Sequence, residues 1–183
     1  TAVRSLTTAQ IAAWSTSHAA ALSSAQVAAM STAQVRAFET ADLQALSASV
    51  ITGMTSAQVA GLTTAQIAAL TSVQIAAIEV GDLRALSTAQ IVALNSEQFS
   101  ALTRLQAASL STAQLRALDG TDLSALSTAA VANLSAVQLA SLSTAQVLAL
   151  TTEQLQAMGS IQVKALTSAQ VAALGTEQLA ALS

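Results

Sequence analysis

The sequence predicts an all-α fold, a solenoid or superhelix of short helices with one helix in each octapeptide repeat. Three observations predict this fold: a strict eight-residue period, a helix-capping pattern at the start of the repeats, and large apolar residues at two fixed positions. The period is visible in STAQIVAL at 87–94, STAQLRAL at 111–118 and STAQVLAL at 143–150. A fixed period is the signature of a repeat architecture, so the period decides the fold class.

The octads follow one another without interruption. Counted from Thr7, 22 octads run to Leu182 without an insertion. Position eight is large and apolar in all 22, and position five is Val, Ile, Leu or Phe in 20 of them. Position one is Ser or Thr in 16 octads, position four is Gln in 16, and position seven is Ala in 17. We therefore predict a single octapeptide-repeat solenoid over residues 1–183, with its full octads at 7–182.

The first four positions of an octad carry the signals of a helix start. A Ser or Thr followed three residues later by Gln forms a capping box, in which each side chain bonds the other residue's backbone amide. The large residue before the Ser or Thr and the apolar residue at position five form a hydrophobic staple. Each octad is thus predicted to hold one helix of under two turns, with positions five and eight buried and positions two and six facing solvent.

This assignment of faces predicts unequal costs for two substitutions in one octad. Leu94→Ala should cost ~2–5 kcal/mol because it truncates a core side chain. Gln90→Ala should cost only about 1 kcal/mol because it removes a cap. The small residue at position seven is expected to let neighbouring helices approach closely.

Two other folds fit the pattern less well. In a β-solenoid, positions five and eight would point to opposite faces, since side chains alternate along a strand. In one continuous helix, the apolar pair would rotate by ~80° per octad and leave apolar surface on every side. Short helices that fold back on one another bury both positions together.

A second, longer period overlies the octads. ETADLQAL at 39–46, EVGDLRAL at 79–86 and DGTDLSAL at 119–126 lie 40 residues apart and carry acidic residues at positions one and four. Two interpretations stay open. Either five octads make one superhelical turn, or a 40-residue block has been duplicated without geometric meaning.

Composition excludes several classes of function. The chain has only 6 Lys and Arg against 9 Asp and Glu, and its net charge is −3. So few cations cannot neutralise a run of phosphates, so no nucleic-acid partner is expected. No apolar run approaches the ~18 residues that span a bilayer, so no membrane insertion is expected. There is no cysteine, which excludes disulfides and thiolate metal sites.

The residues that could carry chemistry have simpler explanations. Acids at helix starts stabilise the helix dipole, so the paired carboxylates are interpreted as caps. His18 takes the place of Gln at position four and is also interpreted as a cap. We therefore predict no catalytic, cofactor-binding or metal-binding residue, no cofactor, and no enzymatic activity. The paired carboxylates are Glu39 with Asp42, Glu79 with Asp82, and Asp119 with Asp122.

The octad resembles a known kind of repeat. The segments LTTAQIAAL (62–70), LSTAQIVAL (86–94) and LSTAQVLAL (142–150) are similar to octapeptide tracts of very large secreted or surface proteins of Gram-negative bacteria, often labelled adhesin-like or haem-utilisation proteins. The resemblance covers essentially the whole chain and implies an extracellular, repetitive, structural role at the cell surface. The haem label gains no support, because one His, no Tyr and no Cys leave almost nothing to ligate iron.

These observations predict a structural protein that forms an extracellular filament, fibre or surface stalk. The last octad, GTEQLAAL at 175–182, is as apolar at positions five and eight as any other, whereas solenoids usually end in polar capping repeats. Its expected partner is therefore itself, as a head-to-tail polymer or as continuation of the same repeat in a longer chain. The alternative is a binding module, an adhesin or a glycan- or ice-binding protein, that uses its regular Ser and Thr face as a contact surface.

Overall fold

The computed structural model of the protein describes residues 2–182. These residues form an array of short helices. Within that range it consists of helices, turns and bends, with no strand. The predicted all-α fold with one helix per octad is confirmed. The chain divides into two compact units, Thr1–Leu94 and Asn95–Ser183, and each is described by itself. One continuous domain over 1–183 stays a prediction.

The first unit begins with a 3-10 helix, Ala2–Ser5, and continues with α-helices of five or six residues. Its α-helices are α1 (Thr8–Ala12), α2 (Thr16–Ala20), α3 (Ser24–Ala28), α4 (Thr32–Arg36), α5 (Thr40–Ala45), α6 (Ala48–Thr52), α7 (Ser56–Ala60), α8 (Thr64–Ala69), α9 (Ser72–Ala77), α10 (Val80–Ala85) and α11 (Thr88–Val92).

The second unit repeats the pattern with helices of four to six residues. Its helices are α12 (Ser96–Ala101), α13 (Arg104–Ser109), α14 (Thr112–Ala117), α15 (Gly120–Ala125), α16 (Thr128–Val131), α17 (Ala136–Ser141), α18 (Thr144–Leu148), α19 (Thr152–Gln156), α20 (Ser160–Ala165), α21 (Ser168–Ala173) and α22 (Thr176–Ala181). Within the described residues, no helix has the length and apolar content that a membrane crossing requires.

The helices start and stop where the octad pattern predicts. Ser143 has an extended backbone (φ −71°, ψ 162°), and its side chain accepts a hydrogen bond from the backbone N–H of Gln146. Helix α20 ends at Leu166, which is again extended (φ −62°, ψ 133°). Since no residue of the described range has a positive φ, the chain turns between helices without left-handed glycines. Within the described residues, the helices therefore end without a left-handed glycine, and at α20 the extended Leu166 leads directly into the next cap.

Each helix packs against the helix three places further along within the same unit. In the first unit α2 packs on α5 and α7 on α10, and in the second unit α13 packs on α16 and α17 on α20. Hydrogen bonds between successive layers join residues 25 to 31 positions apart, as in Gln44 Nε2 to Ala69 O and Gln58 Nε2 to Val27 O. One turn in each unit therefore contains between three and four octads.

The interpretation of five octads per turn is wrong. A five-octad turn would place residues 40 positions apart in adjacent layers, and the bonds between layers span 25 to 31 positions instead. Two layers stack where their apolar faces and backbone groups fit, and the recurrence of acidic octads does not govern that fit. The 40-residue period is thus a property of the sequence, and it is not the number of residues in one turn.

The apolar core lies where positions five and eight meet. Leu139 and Val147 at position five are fully buried, and Leu142 and Leu150 at position eight are nearly so. Position six faces solvent at Arg36, as predicted. The predicted burial of position five and the predicted burial of position eight are both confirmed for most octads. The exceptions lie in the first and last octads, where residues of these two positions are partly or largely exposed: Trp14, Leu22, Val163, Val171, Leu179 and Leu182.

Position seven is small because layers approach closely there. A Cβ atom on Gly53 would lie 2.6 Å from Cβ of Ser24, and one on Gly61 would lie 2.1 Å from Cγ2 of Thr32. These partners stand at position two of an octad in the preceding layer. The predicted role of position seven in close approach is confirmed at these two glycines.

Candidate functional site

The most regular polar feature of the molecule is a row of buried glutamines at position four. Gln146 is a representative member in the second unit. Its Oε1 accepts the backbone N–H of Ser143 at 2.9 Å, and its own backbone N–H donates to Ser143 Oγ at 3.1 Å. This is the capping box that the sequence predicts, so the predicted caps are confirmed in this helix.

The same side chain makes a second set of bonds that the sequence analysis missed. Nε2 of Gln146 donates to Leu115 O at 2.9 Å and to Leu118 O at 2.8 Å, in the preceding layer. The side chain is only 6% exposed. One amide therefore caps its own helix with its oxygen and joins two layers with its nitrogen. We call this arrangement the amide bridge.

The amide bridge recurs within both units. In the first unit, Gln58 Nε2 donates to Val27 O and Met30 O, both at 2.8 Å. Gln90 Nε2 donates to Ala60 O at 3.1 Å and Leu62 O at 2.7 Å, so Gln90 does more than cap its helix. We therefore expect Gln90→Ala to cost more than the about 1 kcal/mol of a lost cap. Bridges of this kind are made by Gln34, Gln58, Gln66, Gln74 and Gln90 in the first unit and by Gln138, Gln146, Gln154, Gln162, Gln170 and Gln178 in the second.

A signal for the bridge is present in the sequence. A capping box requires only an acceptor at this position, so Glu serves as well as Gln. Yet no octad has Glu at position four, although Glu97, Glu153 and Glu177 stand one position earlier. The preference for Gln over Glu indicates that the amide's donor is needed as well as its oxygen.

The three acidic pairs do not behave alike. Asp119 and Asp122 cap each other's backbone amides, with Asp122 N to Asp119 Oδ1 at 2.9 Å and Asp119 N to Asp122 Oδ2 at 3.2 Å. Their interpretation as caps is confirmed. Glu39 and Glu79 also stand at the N-caps of α5 and α10, as predicted, but their side chains make no cap hydrogen bond. A glutamate side chain is one carbon longer than the aspartate that caps well at this place.

The aspartates at position four replace the bridging amide with a carboxylate. Asp82 is buried, and the Ser56 hydroxyl donates a hydrogen bond to its Oδ1. Asp42 is also buried, and its Oδ2 has no hydrogen-bond partner within the structure. At Asp122, burial raises the pKa, and the nearby Asp119 charge raises it further, against the hydrogen bond from the Asp119 backbone. None of the three pairs has a third acid or a histidine close enough to form a metal site, since the described residues contain no cluster of three or more potential metal ligands.

His18 is a cap, as predicted. Its Nδ1 accepts the backbone N–H of Ser15 at 3.2 Å and lies 2.9 Å from Ser15 Oγ. The Ser–His contact is part of the capping box at the start of α2. The ring also lies near Trp14, whose indole packs against Phe38 with ring centroids 5.7 Å apart.

Comparison with known proteins identifies the repeat. The family model described as ALTTAQ repeat matches the chain five times, at residues 2–32, 35–72, 75–112, 115–158 and 149–183. Together the matches cover nearly the whole sequence. A comparison with curated proteins found no match.

Proposed function

The chain belongs to the ALTTAQ repeat family, and from that premise we propose that it is a structural protein of an extracellular filament, fibre or surface stalk. It would build this assembly by stacking its repeats and by end-to-end association with itself. The proposal includes the prediction that the protein is not an enzyme and needs no cofactor.

The amide bridge is the observation that carries the proposal. Each bridged layer is joined to the one before by the same contact, in which Nε2 of a glutamine such as Gln154 donates to carbonyls such as Leu123 O and Leu126 O, at 2.9 and 2.7 Å. Such an interface depends only on the neighbouring layer, so it can be repeated without limit. An interface that is the same at every layer suits a structural protein whose role is to form a long assembly.

Surface composition supports association. Ala fills half of the outward-facing positions three and six, and the whole chain has only 15 charged residues other than His among 183. Few like charges therefore oppose contact between copies. The extracellular location rests on the resemblance of the repeat to tracts of secreted and surface proteins.

Electron microscopy and sedimentation velocity of the purified chain test the proposal. We expect filaments whose amount grows with protein concentration. Charges placed on the last octad, Leu179→Glu with Leu182→Glu, should abolish them. The matched control is Val92→Glu with Leu148→Glu, because those side chains are 46% and 45% exposed while Leu179 is 42% exposed. A monodisperse monomer at all concentrations would contradict self-association.

A binding module is the second candidate, and the exposed hydroxyl groups favour it. Thr64 and Thr88 both stand at position two, both are exposed, and their helices α8 and α11 pack against each other. Their hydroxyl groups could thus face one flat ligand such as ice or a glycan surface. Thermal hysteresis that Thr64→Lys abolishes and Ala68→Lys, at exposed position six, leaves intact would favour this function over the filament.

A further inference from the structure

Within the described residues, the position-four side chains of the first layer hydrogen-bond only within their own helix caps. Gln10, His18 and Gln26 stand at position four of the first three octads, and each takes part in its own cap. Within the described residues, no carbonyl accepts a bond from Nε2 of Gln10 or Gln26. His18 has the same arrangement, because its Nδ1 takes the place of the amide oxygen and leaves Nε2 as the outward donor. Beside them Trp14 and Leu22 are only half-buried. These five residues form what we call the amide face.

The last layer presents the complementary groups. Leu139 O and Leu142 O accept bonds from Gln170 Nε2, at 2.9 and 2.8 Å. The corresponding carbonyls of the final octads accept no side-chain donor within the described range, where Leu166 N to Val163 O and Leu174 N to Val171 O are backbone bonds.

The same layer leaves apolar side chains uncovered. Position five is fully buried at Leu139, but Val171 is 37% and Leu179 is 42% exposed. We call the side chains of Val163, Val171 and Leu179, together with the backbone carbonyls of Leu166 and Leu174, the carbonyl face.

The two faces match in spacing as well as in chemistry. Inside the molecule, a position-four amide bonds carbonyls 31 and 28 residues earlier. On the amide face three donors stand eight residues apart, and on the carbonyl face the acceptor positions also recur every eight residues. If Gln10 of one copy faces the Val163 octad of another, His18 faces the Val171 octad and Gln26 faces the Leu179 octad. In that register each of the three donors lies opposite an acceptor position. That register also covers Val171 and Leu179.

We infer that the amide face of one copy docks on the carbonyl face of a second copy, with amide bridges like those inside the molecule. This inference rests on the proposed function and names the surfaces through which the copies join. The contact uses two different surfaces, so a copy that is bound through one face keeps its other face for a further copy.

Complementary blocking variants test this pairing. Gln10→Glu with Gln26→Glu blocks the amide face, because Glu keeps the capping box while losing the donor. Val171→Glu with Leu179→Glu blocks the carbonyl face. Each variant alone is expected to stay monomeric, and an equimolar mixture should form 1:1 heterodimers, since each variant keeps the face that the other lacks. Both should keep the helical circular dichroism of the wild type, and Ala113→Glu with Ala145→Glu, at exposed position three, should polymerise like the wild type.

The outcomes separate the inference from the proposed function. Monomeric single variants whose mixture sediments at twice the monomer mass, with at least ten-fold tighter association than either alone, would support the pairing of faces. Filaments from either blocked variant would overturn that pairing and leave the proposed function standing. A wild-type chain that stays monomeric would overturn self-association and the pairing of faces together.

Discussion

At the scale of the residue, glutamine at position four does two things with one planar group. The oxygen of Gln58 accepts the Thr55 backbone N–H at 2.9 Å, and its nitrogen reaches two carbonyls of the preceding layer. A buried amide with all of these partners loses little on leaving water, whereas removal of the side chain leaves several backbone groups with fewer partners. The glutamine should therefore contribute more to stability than a cap alone.

A pair of matched substitutions tests this contribution. Gln146→Ala should lower the free energy of unfolding by about 2–4 kcal/mol, since it removes a cap and two buried hydrogen bonds. Gln10→Ala should cost only about 1 kcal/mol, because Gln10 is exposed and makes a cap alone. Urea denaturation followed by circular dichroism measures both, and equal costs would show that the bonds between layers contribute nothing.

The carboxyl group of Asp122 predicts a pH dependence. Burial raises its folded-state pKa above the ordinary 3.8, so the folded chain keeps this proton at pH values where the unfolded chain has lost it. The contribution of Asp122 to stability should therefore fall as pH rises through the range just above 3.8. Asp122→Asn should flatten the stability profile there and raise stability at neutral pH. An unchanged slope in thermal melts of the variant would contradict this assignment.

At the scale of the element, an octad contains all the signals of a helix start but too few residues for a helix that is stable alone. Helices of four to six residues are too short to be stable alone, so each depends on its neighbours three places away. The close approach at Gly53 shows what limits this packing, because a Cβ there would meet Ser24. Close packing of these two layers therefore depends on the absence of a side chain at Gly53.

Two glycines with different surroundings test that limit. Gly53→Ala should destabilise the fold by about 1–3 kcal/mol through overpacking against Ser24, whose hydroxyl also donates to Ser49 O at 2.8 Å. Gly81→Ala has no atom within 4 Å of the new methyl group and lies inside α10. It should stabilise the fold by about 0.5–1 kcal/mol through helix propensity. Differential scanning calorimetry would show the opposite shifts, and stabilisation by both would mean that the layers can separate at no cost.

The elements were predictable from sequence because their causes are local. The cap of Ser143 and Gln146 and the burial of Leu150 follow from spacings of at most eight residues. The partners of Gln146 Nε2 lie 31 and 28 residues earlier, and no local pattern states how many octads complete a turn. The 40-residue recurrence of acidic octads suggested a different turn because sequence duplication and layer packing have independent periods. Among the site residues, His18 was predictable as a cap, while the burial of Asp42 was not.

At the scale of the whole molecule, the amide face and the carbonyl face carry complementary donors and acceptors within the described residues. By the inference drawn above, copies join through the contact that joins layers inside each unit. In those layers position seven touches position two, since a Cβ on Gly120 would lie 2.8 Å from Cβ of Ala149, 29 residues later. The same contact between copies would bring Ala21 of one copy to Thr176 of the next.

Cysteine cross-linking measures that contact directly, because the chain has no cysteine of its own. Ala21→Cys protein mixed with Thr176→Cys protein should give a disulfide-linked heterodimer on mild oxidation, since both positions are exposed in the single chain. Thr144→Cys, at the same octad position within the second unit, is the control partner and should cross-link far more slowly. Rapid, selective cross-linking of the Ala21 and Thr176 positions is the predicted result. Equal rates for the two pairs, or filaments in which the Thr176 pair does not cross-link, would contradict the claim.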